Sequence, residues 1–192
     1  MTMGTIGTPA CLARWNAPSL NRPSFPSGLR VPSGAMTTER PDKVCGIHFF
    51  NPAPMMKLVE VIKPLTASDD TITTALEFAA ACGKDAVQVA DRAGFIVNAL
   101  LFPYLNNAIR MWENGTASMD DIDTAMMGGC NFPMGPFALL DLVGLDTSLA
   151  ILEALYEDSK DHNYSPAVTL RRKVVAGQLG RKSGKGFYDY GR

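Results

Sequence analysis

The stretch that most restricts the fold is residues 92–115, RAGFIVNALLFPYLNNAIRMWENG, where apolar side chains recur nearly all round a helical projection. At about 1.5 Å per residue it predicts a buried helix of roughly 30 Å, with Pro103 able to kink it and Gly115 to stop it. Such a helix needs partners on several sides, and the following residues offer them. Ser118 with Asp121 has the spacing of a helix N-terminal capping box. FALLDLVG and LDTSLAILEALYED continue the helical pattern, and Ser165-Pro166 has the order of a cap followed by a first-turn proline, predicting a last helix. The closing LGRKSGKGFYDY is basic and glycine-rich, then aromatic.

Before Asp91 the pattern is different. VCGIHFF and KLVEVIK are short runs of strand formers separated by NPAP, whose prolines forbid either element to continue. Ser68-Asp69-Asp70 predicts a helix start, TITTALEFAAA the helix body, Gly83 its stop, and DAVQVAD a further strand. Strand, strand, helix, strand is how the closing part of an α/β sheet domain reads, yet the strands and helices that would open it are not found upstream. Residues 1–34 carry Pro9, Pro18, Pro23, Pro26 and Pro32 with no apolar periodicity, so little fixed structure is expected there. Three arginines without an acidic residue resemble an organelle transit segment, but the prolines would break its amphipathic helix, and no apolar secretory core is present. The expected fold class is mainly α: an irregular 1–34, an α/β segment 35–91 and an all-helical 92–192.

A net charge of -1 argues against nucleic-acid binding, which needs a basic surface, and no apolar run is long enough to cross a bilayer. Cys11, Cys45, Cys82 and Cys130 stand far apart with no CxxC spacing, so no metal site is expected. Buried free thiols in a reducing, cytoplasmic compartment are expected instead.

Two residues stand out chemically. His48 can exchange a proton near neutral pH, and a carboxylate on its second ring nitrogen would fix the tautomer and stabilise the imidazolium. Glu60 lies in the apolar run KLVEVI, where burial is costly without a partner; the nearby candidates are His48, Lys57 and Lys63, and lysines can snorkel away. A core histidine beside a strand-edge carboxylate is the plainer alternative. Asn98, inside the apolar helix, would bind either backbone or a ligand oxygen. GRKSGKG lacks the phosphate-loop spacing, leaving a flexible basic loop that touches an anionic ligand or a solvated tail. His162, in EDSKDHNYS, reads as a surface residue, and no GxGxxG dinucleotide fingerprint occurs in the sequence.

From about Arg40 onward the sequence closely resembles the short-chain 3-hydroxyacyl-CoA dehydrogenases, particularly bacterial 3-hydroxybutyryl-CoA dehydrogenases. The resemblance rests on GIHFFNPAPMMKLVEVI, DRAGFIVNALLFPYLNNAIRM, MGPFALLDLVGLD and GRKSGKGFYDY, in the family's order and spacing. It implies an N-terminal Rossmann domain that binds NAD, a helical domain that dimerises, and an acyl-CoA substrate in the cleft between them. By the same resemblance His48 is the catalytic base and Glu60 its partner, Asn98 contacts the substrate oxygen, and Asn51 and Lys182 contact the dinucleotide. Ser27 falls in the place of a catalytic serine, though its neighbours SFPSGLRV depart from the family's pattern.

The Rossmann strands, the glycine-rich turn and the acidic ribose-binding residue have no counterpart in the sequence. A truncated or mis-started gene product is therefore expected, with negligible turnover by this chain alone. A non-catalytic helical dimerisation module is the second reading. A 3-hydroxyisobutyrate or 6-phosphogluconate type of dehydrogenase is weaker, since those enzymes look to a lysine for proton transfer.

Overall fold

Strand-forming residues on either side of NPAP build a small sheet. In the computed structural model, which describes Ala35 and residues 38–191, β1 (Gly46–Phe49) pairs antiparallel with β2 (Leu58–Lys63), and β2 pairs parallel with β3 (Asp85–Ala90). A parallel neighbour requires a crossover, supplied by α1 (Asp69–Ala81). Val59 and Val61 face this helix, in a core completed by Ile72, Ala75 and Ala79. Burying each valine contributes roughly 1.5 kcal/mol. Because strand side chains alternate, Glu60 and Ile62 point to the opposite face of the sheet.

The ends of α1 are set by sequence as expected. The Ser68 hydroxyl accepts the Thr71 N–H at 3.3 Å. Gly83 adopts φ +69°, its N–H reaches Ala80 O, and the Lys84 N–H reaches back to Ala79 O. This pair of bonds is a Schellman turn, in which glycine avoids the left-handed penalty.

A second unit begins at Ile96; the first ends at Phe95. Its helices are α2 (Val97–Glu113), α3 (Met119–Cys130), α4 (Pro136–Val143), α5 (Leu145–Ser159) and α6 (Val168–Val175). The long helix is shorter than the 92–115 stretch predicts. Gly94 and Phe95 both have positive φ, +76° and +49°, so a right-handed helix cannot pass through them. At its far end Asn114 caps α2 and Gly115 follows at φ +72°. Phe102, Leu105, Ala108 and Ile109 are buried, whereas Leu100 is 72% exposed.

The last helix also starts later than Ser165-Pro166 predicts, with Ala167 rather than Ser165 as its N-cap. The fully buried Asn106 of α2 is responsible. Its amide donates to Ser165 O at 2.9 Å and accepts the Ala167 N–H at 2.8 Å, while Arg110 donates to the same Ser165 carbonyl at 2.6 Å. Residues 165–167 are thus held extended. Ser118 caps α3 as its spacing with Asp121 predicts, accepting the Asp121 N–H at 3.1 Å and donating to its carboxylate at 2.6 Å.

The glycine-rich end folds back on the helical unit rather than trailing as a tail, with its basic residues Arg181 and Lys182 exposed. Backbone bridges join Gly180 to Lys185 and Lys185 to Asp189, and Phe187 is buried against the edges of Trp112 and Phe137. The thiols correct another expectation: Cys45 is half-buried, and Cys82 and Cys130 are free but exposed. Cys82 follows the last turn of α1 and Cys130 closes α3, both at helix ends. Cys11 and the expected irregularity of residues 1–34 lie outside the described residues. Among those described, no helix is long and apolar enough to cross a membrane and no metal-ligand cluster exists.

Candidate active site

Antiparallel register sets His48 directly opposite Glu60, both on the sheet face turned away from α1. Their side chains meet: His48 Nδ1 lies 2.8 Å from Glu60 Oε2. The carboxylate is completely buried and the imidazole one-quarter exposed. An ionised carboxylate can only accept, so in this bond Nδ1 would be the donor, and in the neutral imidazole Nε2 would then present a lone pair. Among the described residues Nε2 has no hydrogen-bond partner. The rings of Phe50 and Phe95 flank the imidazole, with centroids at 4.7 and 5.6 Å.

Of the other residues singled out by sequence, Asn51 follows β1 by two positions and is exposed on the turn that joins the strands. Asn98 is half-buried in the first turn of α2. Beside it the same helix lines a shallow apolar trough of about 350 Å³, formed by Ile96, Val97, Leu100, Leu101, Tyr104 and Phe132. Burial, with the nearby Asp123 carboxylate and Cys130, pushes the Tyr104 phenol up to about 12. Lys182 is paired, with Nζ 2.6 and 2.7 Å from the two Asp146 carboxylate oxygens. His162 is exposed in a short 3-10 turn. Ser27 lies outside the described residues.

Sequence reasoning missed two buried carboxylates that organise the helical unit. Asp123 accepts the Phe137 and Ala138 N–H groups at 2.8 and 3.1 Å, capping α4 from another helix, and also accepts the Tyr188 hydroxyl. Burial and this carboxylate raise the Tyr188 phenol well above its ordinary value. Asp141 accepts the Phe187 and Tyr188 N–H groups, each at 2.8 Å, and the Tyr190 hydroxyl at 3.1 Å. For Asp141 the available signal was a lone aspartate in the apolar run FALLDLVG. A Cβ on Gly135 would overlap the Asp123 side chain, and one on Gly186 that of Asp141.

Comparison with known proteins bears on what such a site belongs to. The family model described as "3-hydroxyacyl-CoA dehydrogenase, NAD binding domain" matches residues 24–92, and "3-hydroxyacyl-CoA dehydrogenase, C-terminal domain" matches 94–190. A 3-hydroxybutyryl-CoA dehydrogenase of Mycobacterium tuberculosis is 47% identical over 165 residues, covering 85% of this chain and 58% of the relative. The human mitochondrial hydroxyacyl-coenzyme A dehydrogenase is 48% identical over 165 residues, covering 85% and 52%. The crystal structure of an (S)-3-hydroxybutyryl-CoA dehydrogenase from Ralstonia eutropha superposes with a TM-score of 0.82 at 43% identity, covering 87% of this chain and 59% of that one. The chain therefore spans a little over half the length of the relatives it matches. With both family models matched in order and close to half of the aligned residues identical, the chain belongs to the 3-hydroxyacyl-CoA dehydrogenase family.

Proposed function

We propose that this chain acts in the NAD-dependent interconversion of (S)-3-hydroxyacyl-CoA, 3-hydroxybutyryl-CoA above all, and the corresponding 3-oxoacyl-CoA. The observation that carries this reading is the His48–Glu60 pair, a part-exposed imidazole fixed by a wholly buried carboxylate. In the oxidative direction Nε2 of His48 takes the proton of the 3-hydroxyl group. Glu60 holds the imidazole through Nδ1–H and offsets the positive charge that develops on it. In the reductive direction the same nitrogen returns the proton to the carbonyl oxygen. Asn98, whose amide can donate, would hold that oxygen.

The described residues suit the nicotinamide end of a dinucleotide: the base and the exposed Asn51 amide lie three positions apart, on a strand and its adjoining turn. NAD, when bound, supplies the hydride acceptor for C3. Asn51 and Lys182 would contact it, Lys182 only by sharing its ammonium with Asp146. The residues 35–91 are read as the closing part of the NAD-binding domain and 92–192 as the helical substrate domain. The exposed Leu100, Phe132 and Met127 of the helical unit support a homodimer formed through it, and exposed free thiols fit a cytoplasmic setting.

The test is NADH oxidation with acetoacetyl-CoA at millimolar cofactor, beside His48→Ala. Turnover is expected to be slow, and His48→Ala should bring it down to background. A rate that His48→Ala leaves unchanged contradicts the assignment. No oxidation by either protein would favour the helical dimerisation module.

A further inference from the structure

The turn that joins the two strands of the His48–Glu60 pair is held from outside by a residue of a different element. Lys84 is delivered to this position by the Schellman turn at the end of α1, where Gly83 in the left-handed conformation reverses the chain. From there its ammonium reaches across to the 51–57 segment, 2.6 Å from Ala53 O and 3.0 Å from Met56 O. The segment is also tied to itself, since the Met55 and Met56 N–H groups both reach Pro52 O at 3.0 Å, and tied to β3 through the Asp85 N–H on Lys57 O at 2.9 Å. Its outward side carries Asn51, Met55 and Met56, all exposed.

Two features separate Lys84 from an ordinary surface lysine. Its side chain is half-buried, and the contacts found for its ammonium are backbone carbonyls rather than a carboxylate. Charge-assisted bonds to two carbonyls three residues apart fix the path of the chain between them. The segment so fixed leaves β1 immediately after His48 and Phe49 and enters β2 two residues before Glu60.

We propose that Lys84 is a positioning residue, whose ammonium clamps the 51–57 turn so that Asn51 is presented to the cofactor beside His48. The proposal rests on the dehydrogenase reading of the site. A loose turn would leave the strands and the His48–Glu60 pair intact but spread Asn51 over many positions, so the loss should fall on cofactor binding rather than on proton transfer.

The experiment compares the full chain with Lys84→Met, which keeps length and apolar stem, and Lys84→Arg, which keeps donors. Amide hydrogen exchange is read at Met55 and Met56, and NADH binding by saturation-transfer NMR at millimolar cofactor. Lys84→Met should accelerate exchange at these two amides about tenfold, leave β2 and α1 protected as before, and weaken NADH about fivefold. Lys84→Arg should recover most of both effects. Unchanged exchange at Met55 and Met56, or faster exchange spread evenly over the sheet and α1, overturns the clamp. Faster local exchange with unchanged NADH affinity overturns the positioning role while leaving the dehydrogenase reading in place. Absence of NADH binding by the unaltered chain removes the cofactor reading itself, and with it the positioning role.

Discussion

A carboxylate with no exposure to solvent depends on its partners, and Glu60 has the His48 Nδ1–H at 2.8 Å. Removing that donor by His48→Ala should destabilise the sheet unit by about 2 kcal/mol, read as a shift in the urea midpoint. Glu60→Gln keeps shape and one acceptor but gives up the charge, so the folded state should survive while activity falls between tenfold and a hundredfold. Equal rates for Glu60→Gln and the unaltered chain would mean that the carboxylate plays no part in proton transfer. Crowding at single atoms governs the helical unit in the same way. Gly186→Ala would place a methyl group on the Asp141 carboxylate, which holds the Phe187 and Tyr188 N–H groups. The expected cost is about 2 kcal/mol, with loss of the Trp112 environment that Phe187 helps to form. An unchanged Trp112 fluorescence and urea midpoint would contradict this.

At the level of elements, the tail is joined to the start of α5 by Lys182 and Asp146, and this junction should respond to acid. Partial burial works against ionisation of Asp146. The Lys182 hydrogen bond, backbone N–H groups and the lysine charge outweigh it and hold the carboxyl below its ordinary 3.8. A depressed carboxylate stabilises the fold above its unfolded value, and that contribution disappears as pH falls through the folded one. Stability should therefore drop from about pH 4 downward, and Asp146→Asn should remove this part of the slope. Because both side chains are close to half exposed and screened by solvent, the effect stays below about 1 kcal/mol. An acid-unfolding slope identical in the variant would refute it. The elements differ in how far the sequence revealed them. Strands and α1 were legible, because the NPAP breaks, the Ser68 cap and Gly83 act locally. The late starts of α2 and α6 were not. One depends on the left-handed Phe95, a conformation that sequence rarely betrays, and the other on Asn106, which lies 59 positions from the Ser165 it binds. His48 and Glu60 were legible as a pair because a carboxylate in the apolar run KLVEVI calls for a partner and the nearby lysines can turn to solvent, whereas Asp123 and Asp141 act over long separations on groups that no local pattern identifies.

For the whole molecule, the proposed homodimer would form through the apolar surface of the helical unit. Leu100 at 72% exposure lies on the trough with Phe132, and Val175 reaches 89%. A dimer at micromolar concentration is expected from light scattering after size exclusion, and Leu100→Asp should shift it towards monomer. A clean monomer for the unaltered chain would contradict the reading. The proposed chemistry rests on a single tautomer, and ring-nitrogen NMR of His48 near neutral pH tests it without requiring turnover. A proton on Nδ1, directed at Glu60, with Nε2 bare, is the expected result, with loss of that fixed preference in Glu60→Ala. A proton resident on Nε2 in the unaltered chain would leave His48 without the lone pair that a base needs, and would contradict the assignment.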